Sequence, residues 1–146
     1  MMIRVVLDAD TLASGAIAAS GTTLAKIIDR WVNEEYAVVL SQEILTELQR
    51  TFASPYFAAR LSAKYRTEYL TLVWQLALVI PITVHVSGVA THPEDDVILA
   101  TAVSAQAQYL VTGDRKLQRF ATFKGIQILS PSTFLDALRN EEKPAA

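Results

Sequence analysis

The chain has 146 residues, of which hydrophobic residues make up 51%, so it is predicted to form one domain with a core that needs no metal or disulfide staple. It contains no cysteine, which excludes disulfides, thiolate metal sites, iron–sulfur clusters and thiol nucleophiles. With only His85 and His92 to offer imidazole, any metal must be held mainly by carboxylates, which favour a hard ion such as Mg²⁺ or Mn²⁺. The net charge of −2 excludes a global positive field of the kind that coats nucleic acid, although a local basic groove is compatible with it.

Neither the N-terminus nor the longest apolar stretch is typical of a targeting or membrane segment. The N-terminal apolar run contains Arg4 and Asp8 and is too short for the apolar region of a signal peptide. The stretch 70–82 is interrupted by Gln75 and Pro81 and falls short of the roughly 20 residues that cross a bilayer. We therefore expect a soluble, cytoplasmic protein with no membrane partner.

The hydrophobic pattern alternates between short buried strands and amphipathic helices. The predicted elements are, in chain order, a strand at 3–7, a helix at 23–33, a strand at 37–40, helices at 41–52, 56–60 and 62–77, an extended stretch at 79–86 with a strand late in it, a helix at 93–105, a strand at 109–112, a short helix at 116–120, a strand at 126–129 and a helix at 134–139. Such alternation predicts a parallel α/β sheet with right-handed crossovers. The adjacent helices between 56 and 77 form a helical lobe, and residues 1–139 form a single domain followed by a flexible polar tail, 140–146.

Acidic side chains follow two of the predicted strands. Asp8 ends the first strand and Asp10 comes two residues later, while Asp114 follows the strand at 109–112. In an open parallel sheet, ligands bind outside the carboxyl ends of the strands. These acids are therefore predicted to lie at the functional edge.

Two further acids are predicted to approach the same edge from helices. Asp95 lies in the first turn of the helix that begins at Pro93, and Glu47 flanks the apolar stripe of its helix, whereas Glu43 is expected to point nearly opposite that stripe.

Each acid by itself also has a purely structural explanation. Asp8 or Asp10 can cap a helix, and the charge of Asp95 is favourable at a helix N-terminus. Asp114 is compatible with a turn, and Glu47 with a solvated helix face. If the acids are gathered, however, they repel one another unless a cation neutralises them or some stay protonated. Their combined placement predicts a divalent metal site.

Four short motifs carry these acids in a recognisable order. They are Val5-Val-Leu-Asp-Ala-Asp10, Ser41-Gln-Glu-Ile-Leu-Thr-Glu47, Asp95-Asp-Val-Ile-Leu-Ala-Thr-Ala102 and Thr112-Gly-Asp114. In this order and spacing they resemble the motifs of the PIN domain, a family of metal-dependent ribonucleases. The chain is most similar to the PIN-type toxins of bacterial toxin–antitoxin modules, and the resemblance extends from residue 3 to about residue 138.

The resemblance implies a three-layer α/β/α fold around a doubly wound, mainly parallel sheet of about five strands. It implies an acidic pocket of four catalytic residues, Asp8, Glu47, Asp95 and Asp114, in which Asp8, Asp95 and Asp114 bind Mg²⁺ or Mn²⁺. The implied activity is hydrolysis of phosphodiester bonds in single-stranded RNA. The implied partners are a second copy of the chain, in a homodimer, and a small antitoxin protein.

The chain departs from the family pattern at one position and is ambiguous at another. Asp10 stands where the family has Asn, so we interpret it as a site neighbour that adds negative charge. Asp96 follows Asp95 directly, which leaves the third acid ambiguous by one residue. We choose Asp95 because its offset from Ile98 and Ala102 fits the motif, and Asp96 is kept as a second possible neighbour.

Three residues next to the last acid are candidates for binding substrate. Arg115 and Lys116 can hold a phosphate backbone, and Thr112 can orient a water. Solvated surface charge and a structural strand threonine are the alternatives for these residues.

Two other functions remain open on the sequence alone. The segment Asp8-Ala-Asp10-Thr11 resembles the nucleophile loop of haloacid-dehalogenase-like phosphatases, but Leu12 and the order of Asp95 and Lys116 do not fit that family. A catalytically inactive PIN-like binding module is the second alternative, favoured only by Asp10.

Overall fold

The structure is a computed structural model that describes residues 2–142. These residues form six strands and eight helices: β1 (Arg4–Leu7), α1 (Ala9–Ile17), α2 (Thr23–Val32), β2 (Ala37–Leu40), α3 (Gln42–Ala53), α4 (Pro55–Arg60), α5 (Ala63–Leu76), β3 (Leu78–Val79), α6 (Pro93–Ser104), β4 (Tyr109–Val111), α7 (Arg115–Gln118), β5 (Thr122–Phe123), β6 (Ile126–Leu129) and α8 (Pro131–Glu142).

The strands form one sheet in the order β3-β2-β1-β4-β6-β5, and every pairing is parallel except that of β5 with β6. Strands β1, β2 and β4 are almost entirely buried, as expected for parallel strands that are covered on both faces. Because β2 lies on one side of β1 and β4 on the other, the strand order reverses between β1 and β4. This confirms the predicted α/β fold with a mainly parallel, doubly wound sheet.

The structure differs from the sequence prediction at both edges of the sheet. The strand expected late in 79–86 is instead the two-residue β3, and it comes earlier. Pro81 has no N–H to donate to a neighbouring strand, so pairing ends before it. At the opposite edge, the antiparallel β5 brings the sheet to six strands instead of five because Gly125, with φ +83°, allows a tight turn into β6.

Helix α1 was not predicted, because it begins one residue after Asp8 and contains Gly15. Gly15 is required by close packing: a Cβ at this position would lie 2.7 Å from Cγ1 of Ile28 on α2. At the C-terminus, α8 continues to Glu142 instead of ending at Arg139. Residues 143–146 of the predicted tail lie outside the described residues, so the flexible tail stays a prediction.

The helical lobe is held together by aromatic rings. Phe52 at the end of α3 contacts Phe57 of α4 and Tyr69 of α5, with ring centroids 5.8 and 5.7 Å apart. The hydroxyl of Tyr69 donates to the carbonyl of Leu12, which joins the lobe to α1. Trp74 of α5 is 44% exposed. Nowhere between residues 2 and 142 is a helix long and apolar enough to span a bilayer.

Candidate active site at the carboxyl edge of the sheet

The reversal of strand order places two acidic motifs side by side. Leu7, the last residue of β1, pairs with Val111, the last residue of β4. Asp8 and the segment Thr112–Asp114 therefore leave the sheet at neighbouring points, where ligands bind in doubly wound folds. Asp8, Asp10 and Asp114 line one cavity of about 340 Å³ there.

Asp8 is buried and fully engaged in hydrogen bonds. Its Oδ1 accepts from the backbone N–H of Thr11 at 2.8 Å and caps α1, and its Oδ2 accepts from the hydroxyl of Thr112 at 2.5 Å. Burial raises the pKa of Asp8 and outweighs these hydrogen bonds, which lower it, while the charge of Asp10 raises the pKa further. Asp8 therefore caps α1, which was the structural alternative in the sequence analysis, and it also lines the cavity of the candidate site.

Thr112 links the two motifs. Its side chain is fully buried, its hydroxyl donates to Asp8, and its Oγ1 accepts from the backbone N–H of Asp114 at 3.0 Å. Direct contact with a substrate, the role the sequence suggested, does not agree with this burial. Thr112 instead positions Asp8 and Asp114 relative to each other.

Replacing Thr112 by Val is expected to lower the free energy of unfolding by about 1–3 kcal/mol, because the N–H of Asp114 and one carboxylate oxygen of Asp8 lose their partner. The pKa of Asp8 should also rise, since the hydroxyl of Thr112 lowers it. Urea unfolding and carboxyl NMR titration of the metal-free protein measure the two effects. Thr112→Ser keeps the hydroxyl and is the control; if Thr112→Val matches it in both measurements, the linking role is wrong.

Asp95 faces the same two acids from the first turn of α6. Burial raises the pKa of Asp95, the charges of Asp114, Glu94 and Asp8 raise it further, and the nearby His92 lowers it in part. Asp95 is thus close enough to Asp8 and Asp114 to be affected by their charges. The structure brings these three predicted acids to one place.

Asp96, the alternative at the third motif, points elsewhere. Its carboxylate accepts from the backbone N–H groups of Gly88, Val89 and Ala90 at 2.7 to 3.2 Å. The choice of Asp95 over Asp96 agrees with this geometry.

Glu47 lies apart from the other three acids. It is on α3, half-exposed, and its Oε2 lies 3.4 Å from Nη1 of Arg50. With Ala9, the residue after Asp8, it lines a second cavity, which Glu43 and Glu94 also line. Glu43 is exposed, in agreement with its predicted position opposite the apolar stripe, and it still lines this cavity because residues four apart share a helix face. Glu43 and Glu94 are thus acidic neighbours that the sequence reading missed; the four-residue spacing of Glu43 from Glu47 was the signal.

The acids are close but not arranged as a finished metal site. Within residues 2–142, no group of three Asp, Glu, His or Cys side chains converges closely enough to hold a metal ion. Both oxygens of Asp8 are bonded to Thr11 and Thr112, and Oδ1 of Asp114 accepts from the N–H of Lys116. The oxygen donors suit a hard divalent ion. Burial is the main reason that the pKa values of Asp8 and Asp95 are raised, and neighbouring acids add to it. These carboxylates would hold an ion only after their side chains turn toward one another.

Basic side chains follow the acidic edge. Arg115 and Lys116 are exposed in the first turn of α7, directly after Asp114, and Arg119 is exposed at its end. Gln118, which the sequence reading did not single out, donates from Nε2 to the carbonyl of Thr112 at 2.7 Å and fixes the turn that carries Asp114. The cations thus lie beside the acids in the chain and are accessible to solvent.

Known proteins are similar to this chain in sequence pattern and in fold. The sequence model of the PIN-domain family matches residues 4–116. Among solved structures, PAE2754 from Pyrobaculum aerophilum has a TM-score of 0.60 at 19% identity, with 96% of this chain and 99% of that chain covered.

A second structure, VapBC2 from Rickettsia felis bound to a DNA fragment from their promoter, has a TM-score of 0.58 at 14% identity, with 88% of this chain and 98% of that chain covered. At these identities the two structures show the fold alone, and no protein with curated annotation matches the sequence. The phosphatase alternative receives no support, since the matched family spans the motifs that carry Asp8, Glu47, Asp95 and Asp114. The chain belongs to the PIN-domain family.

Proposed function

We propose that this protein is a metal-dependent endoribonuclease that hydrolyses phosphodiester bonds of single-stranded RNA and serves as the toxin of a toxin–antitoxin module. PIN domains are generally nucleases, and the chain keeps the family's acids at the reversal of strand order. The observation that carries the proposal is the placement of Asp8 and Asp114 on one cavity at the ends of neighbouring strands, with Asp95 close enough that burial first, and then the charges of Asp114 and Asp8, raise its pKa. Maintaining repelling acids in one place is costly unless a cation or a reaction uses them.

Asp8, Asp95 and Asp114 are the residues we propose to hold Mg²⁺ or Mn²⁺. When bound, such an ion activates a water near neutral pH and stabilises charge on the phosphate and on the leaving oxygen. Asp8 and Asp114 are held in place by Thr112, so the chain keeps two of the three carboxylates near each other before any ion arrives. Asp10 lines the same cavity as Asp8 and Asp114 and adds negative charge there.

Glu47 is proposed as the fourth catalytic acid, acting after its carboxylate turns away from Arg50. Its side chain is half-exposed, and its contact with Arg50 is long, at 3.4 Å. Exposed ion pairs contribute only about 0–1 kcal/mol to protein stability, so this contact does not prevent Glu47 from rotating. Ala9, next to Asp8, lines the same cavity as Glu47. Rotation toward Ala9 would bring the carboxylate closer to Asp8, the residue before Ala9 in the chain.

Arg115 and Lys116 are proposed to bind the phosphates that flank the scissile bond. Both are exposed and follow Asp114 directly. Contacts to phosphate position a strand without reading its sequence, so this surface supports nucleic-acid binding without defining which RNA is cut.

The test is cleavage of a fluorescent single-stranded RNA, with DNA of the same sequence in parallel, in EDTA and in millimolar MnCl₂. We expect cleavage of the RNA only with manganese, together with a melting temperature that rises with manganese concentration, since a ligand that binds only the folded state stabilises it. Cleavage that is unchanged in EDTA would refute metal dependence. A folded protein that shows neither cleavage nor a manganese-dependent shift is instead the inactive binding module.

The proposed partners are a second copy of the chain and a small antitoxin, with the cytoplasm as the compartment. The similarity in fold to VapBC2 supports a toxin–antitoxin context. Exposed apolar side chains on α2, α4 and α5, among them Val32, Tyr56, Tyr65, Leu72 and Trp74, supply surface for an interface. Light scattering at tens of micromolar should report a dimer, and a strictly monomeric mass contradicts the homodimer.

A further inference from the structure

Residues 80–92, all of which the structure describes, form neither helix nor strand, and we call this segment the strap. The strap leaves the edge strand β3 and runs back along α6, whose last residue is Ser104. There the hydroxyl of Ser104 accepts from the backbone N–H groups of Thr83 and Val84, both at 3.0 Å. This polar clamp fixes the beginning of the strap at the C-terminal end of α6.

A second clamp fixes the end of the strap at the start of α6. The carboxylate of Asp96 is 7% exposed; its Oδ1 accepts from Val89 and Ala90, and its Oδ2 accepts from Gly88. Gly88 has φ +71°, a conformation that costs a glycine nothing and that turns successive N–H groups toward one anion. Hydrogen bonds to a charged acceptor are among the stronger ones in proteins.

The second clamp lies in the first turn of α6, which also carries Asp95. Among the described residues, no side chain caps α6 at His92, and the backbone N–H groups of Asp95 and Asp96 both bond to the carbonyl of His92. The path of the chain from Ala90 to His92 therefore sets where the first turn of α6 begins. Asp96 ties that path to the turn that carries Asp95.

We propose that Asp96 is a positioning residue, which holds the strap against the first turn of α6 and thereby fixes the carboxylate of Asp95 opposite Asp114. This inference rests on the proposed function, since it gives Asp96 a role in metal binding and cleavage through Asp95. Both oxygens of Asp96 accept hydrogen bonds from the strap, and this role does not require Asp96 to touch the ion.

Three variants separate this role from a direct ligand and from a merely structural one. Asp96→Ala removes all three hydrogen bonds of the second clamp. Asp96→Asn keeps an oxygen that can accept from Val89 and Ala90 but loses the negative charge. Ser104→Ala, the matched control, removes the first clamp at the other end of α6.

The first measurement uses the metal-free protein. In Asp96→Ala we expect faster amide exchange at 88–90 and a changed carboxyl ¹³C signal of Asp95, whereas Ser104→Ala should speed exchange at 83–84 and leave the Asp95 signal as in the wild type. If Asp96→Ala also leaves the Asp95 signal unchanged, the proposal that the strap positions Asp95 is wrong. Because neither signal depends on activity, this result stands whether or not the wild type cleaves RNA.

The second measurement titrates MnCl₂ and follows melting temperature and RNA cleavage. Loss of a group that orients a metal ligand typically costs about 10–100-fold in metal affinity or activity, so Asp96→Ala should need at least about tenfold more manganese, with KM for RNA nearly unchanged. Asp96→Asn should lie within about threefold of the wild type, as a partial rescue. If Asp96→Asn loses the manganese response as fully as Asp95→Asn does, Asp96 is a ligand and the proposal fails. If the wild type itself neither binds manganese nor cleaves, the proposed function fails, and the first measurement still decides the role of the strap.

Discussion

Replacing Asp8 by Asn is expected to lower RNA cleavage by more than about 100-fold, beyond the 10–100-fold range for losing only an outer partner of a metal ligand. The substitution should also abolish the manganese-induced rise in melting temperature, because it removes one of the three negative charges that are proposed to hold the ion. The fold should survive. Asn caps helices about as well as Asp, so its oxygen can still accept from the N–H of Thr11.

The metal-free Asp8→Asn protein should be as stable as the wild type at neutral pH, or more stable. Burial raises the pKa of Asp8 above its ordinary value of 3.8, so the folded state holds the proton more tightly than the unfolded state. The stabilising contribution of protonated Asp8 is complete below pH 3.8 and is lost as the pH rises through the folded pKa. At neutral pH the charged group opposes folding, and Asn removes this effect.

Thermal unfolding between pH 3 and pH 8, with and without MnCl₂, measures the stability and the manganese response of the variant. A cleavage assay measures its activity. Asp136→Asn on α8 is the matched control, because Asp136 is exposed and its contact is a long one, to Arg139. It should behave as the wild type in every assay. An Asp8→Asn protein that cuts RNA at the original rate would end the assignment of this site.

Replacing Phe52 by Ala is expected to cost about 3–5 kcal/mol of the free energy of unfolding, the usual range for a buried aromatic residue. Phe52 is 2% exposed, and its ring contacts one ring on α4 and another on α5. Its removal leaves a cavity where three helices meet. Because the total stability of such domains is about 5–15 kcal/mol, the variant should lose a large share of it.

The melting temperature of Phe52→Ala should fall by roughly 6–20 °C, given about 2–4 °C for each kcal/mol in domains near this size. The same substitution at Phe120, which is 38% exposed, should cost about 1 kcal/mol or less. Urea denaturation of both variants provides the free energies. Equal losses at the two positions would show that Phe52 does not join the helices of the lobe.

Much of the site could be predicted because its signals are local. Asp8 follows an apolar strand, Asp95 follows Pro93 in a first helical turn, and Asp114 follows a strand and a glycine. Each signal needs only a few consecutive residues. Thr112 was noted in the sequence, but not its burial or its bonds to both motifs, because these depend on the pairing of strands more than 100 residues apart in sequence.

The sequence by itself determined the order of the strands and helices except α1, β3 and β5, the absence of thiol chemistry, and which acids lie at the ends of predicted strands and in predicted helices. These follow from hydrophobic periodicity and from side-chain chemistry, which act over short distances along the chain. Only the tertiary structure decided that β4 lies beside β1, so that Asp8 and Asp114 become neighbours, and that Asp96 faces the strap while Asp95 faces the acids. The reason is physical: burial, hydrogen bonding and the electrostatic influence of one acid on another depend on distances in space, which sequence separation does not set.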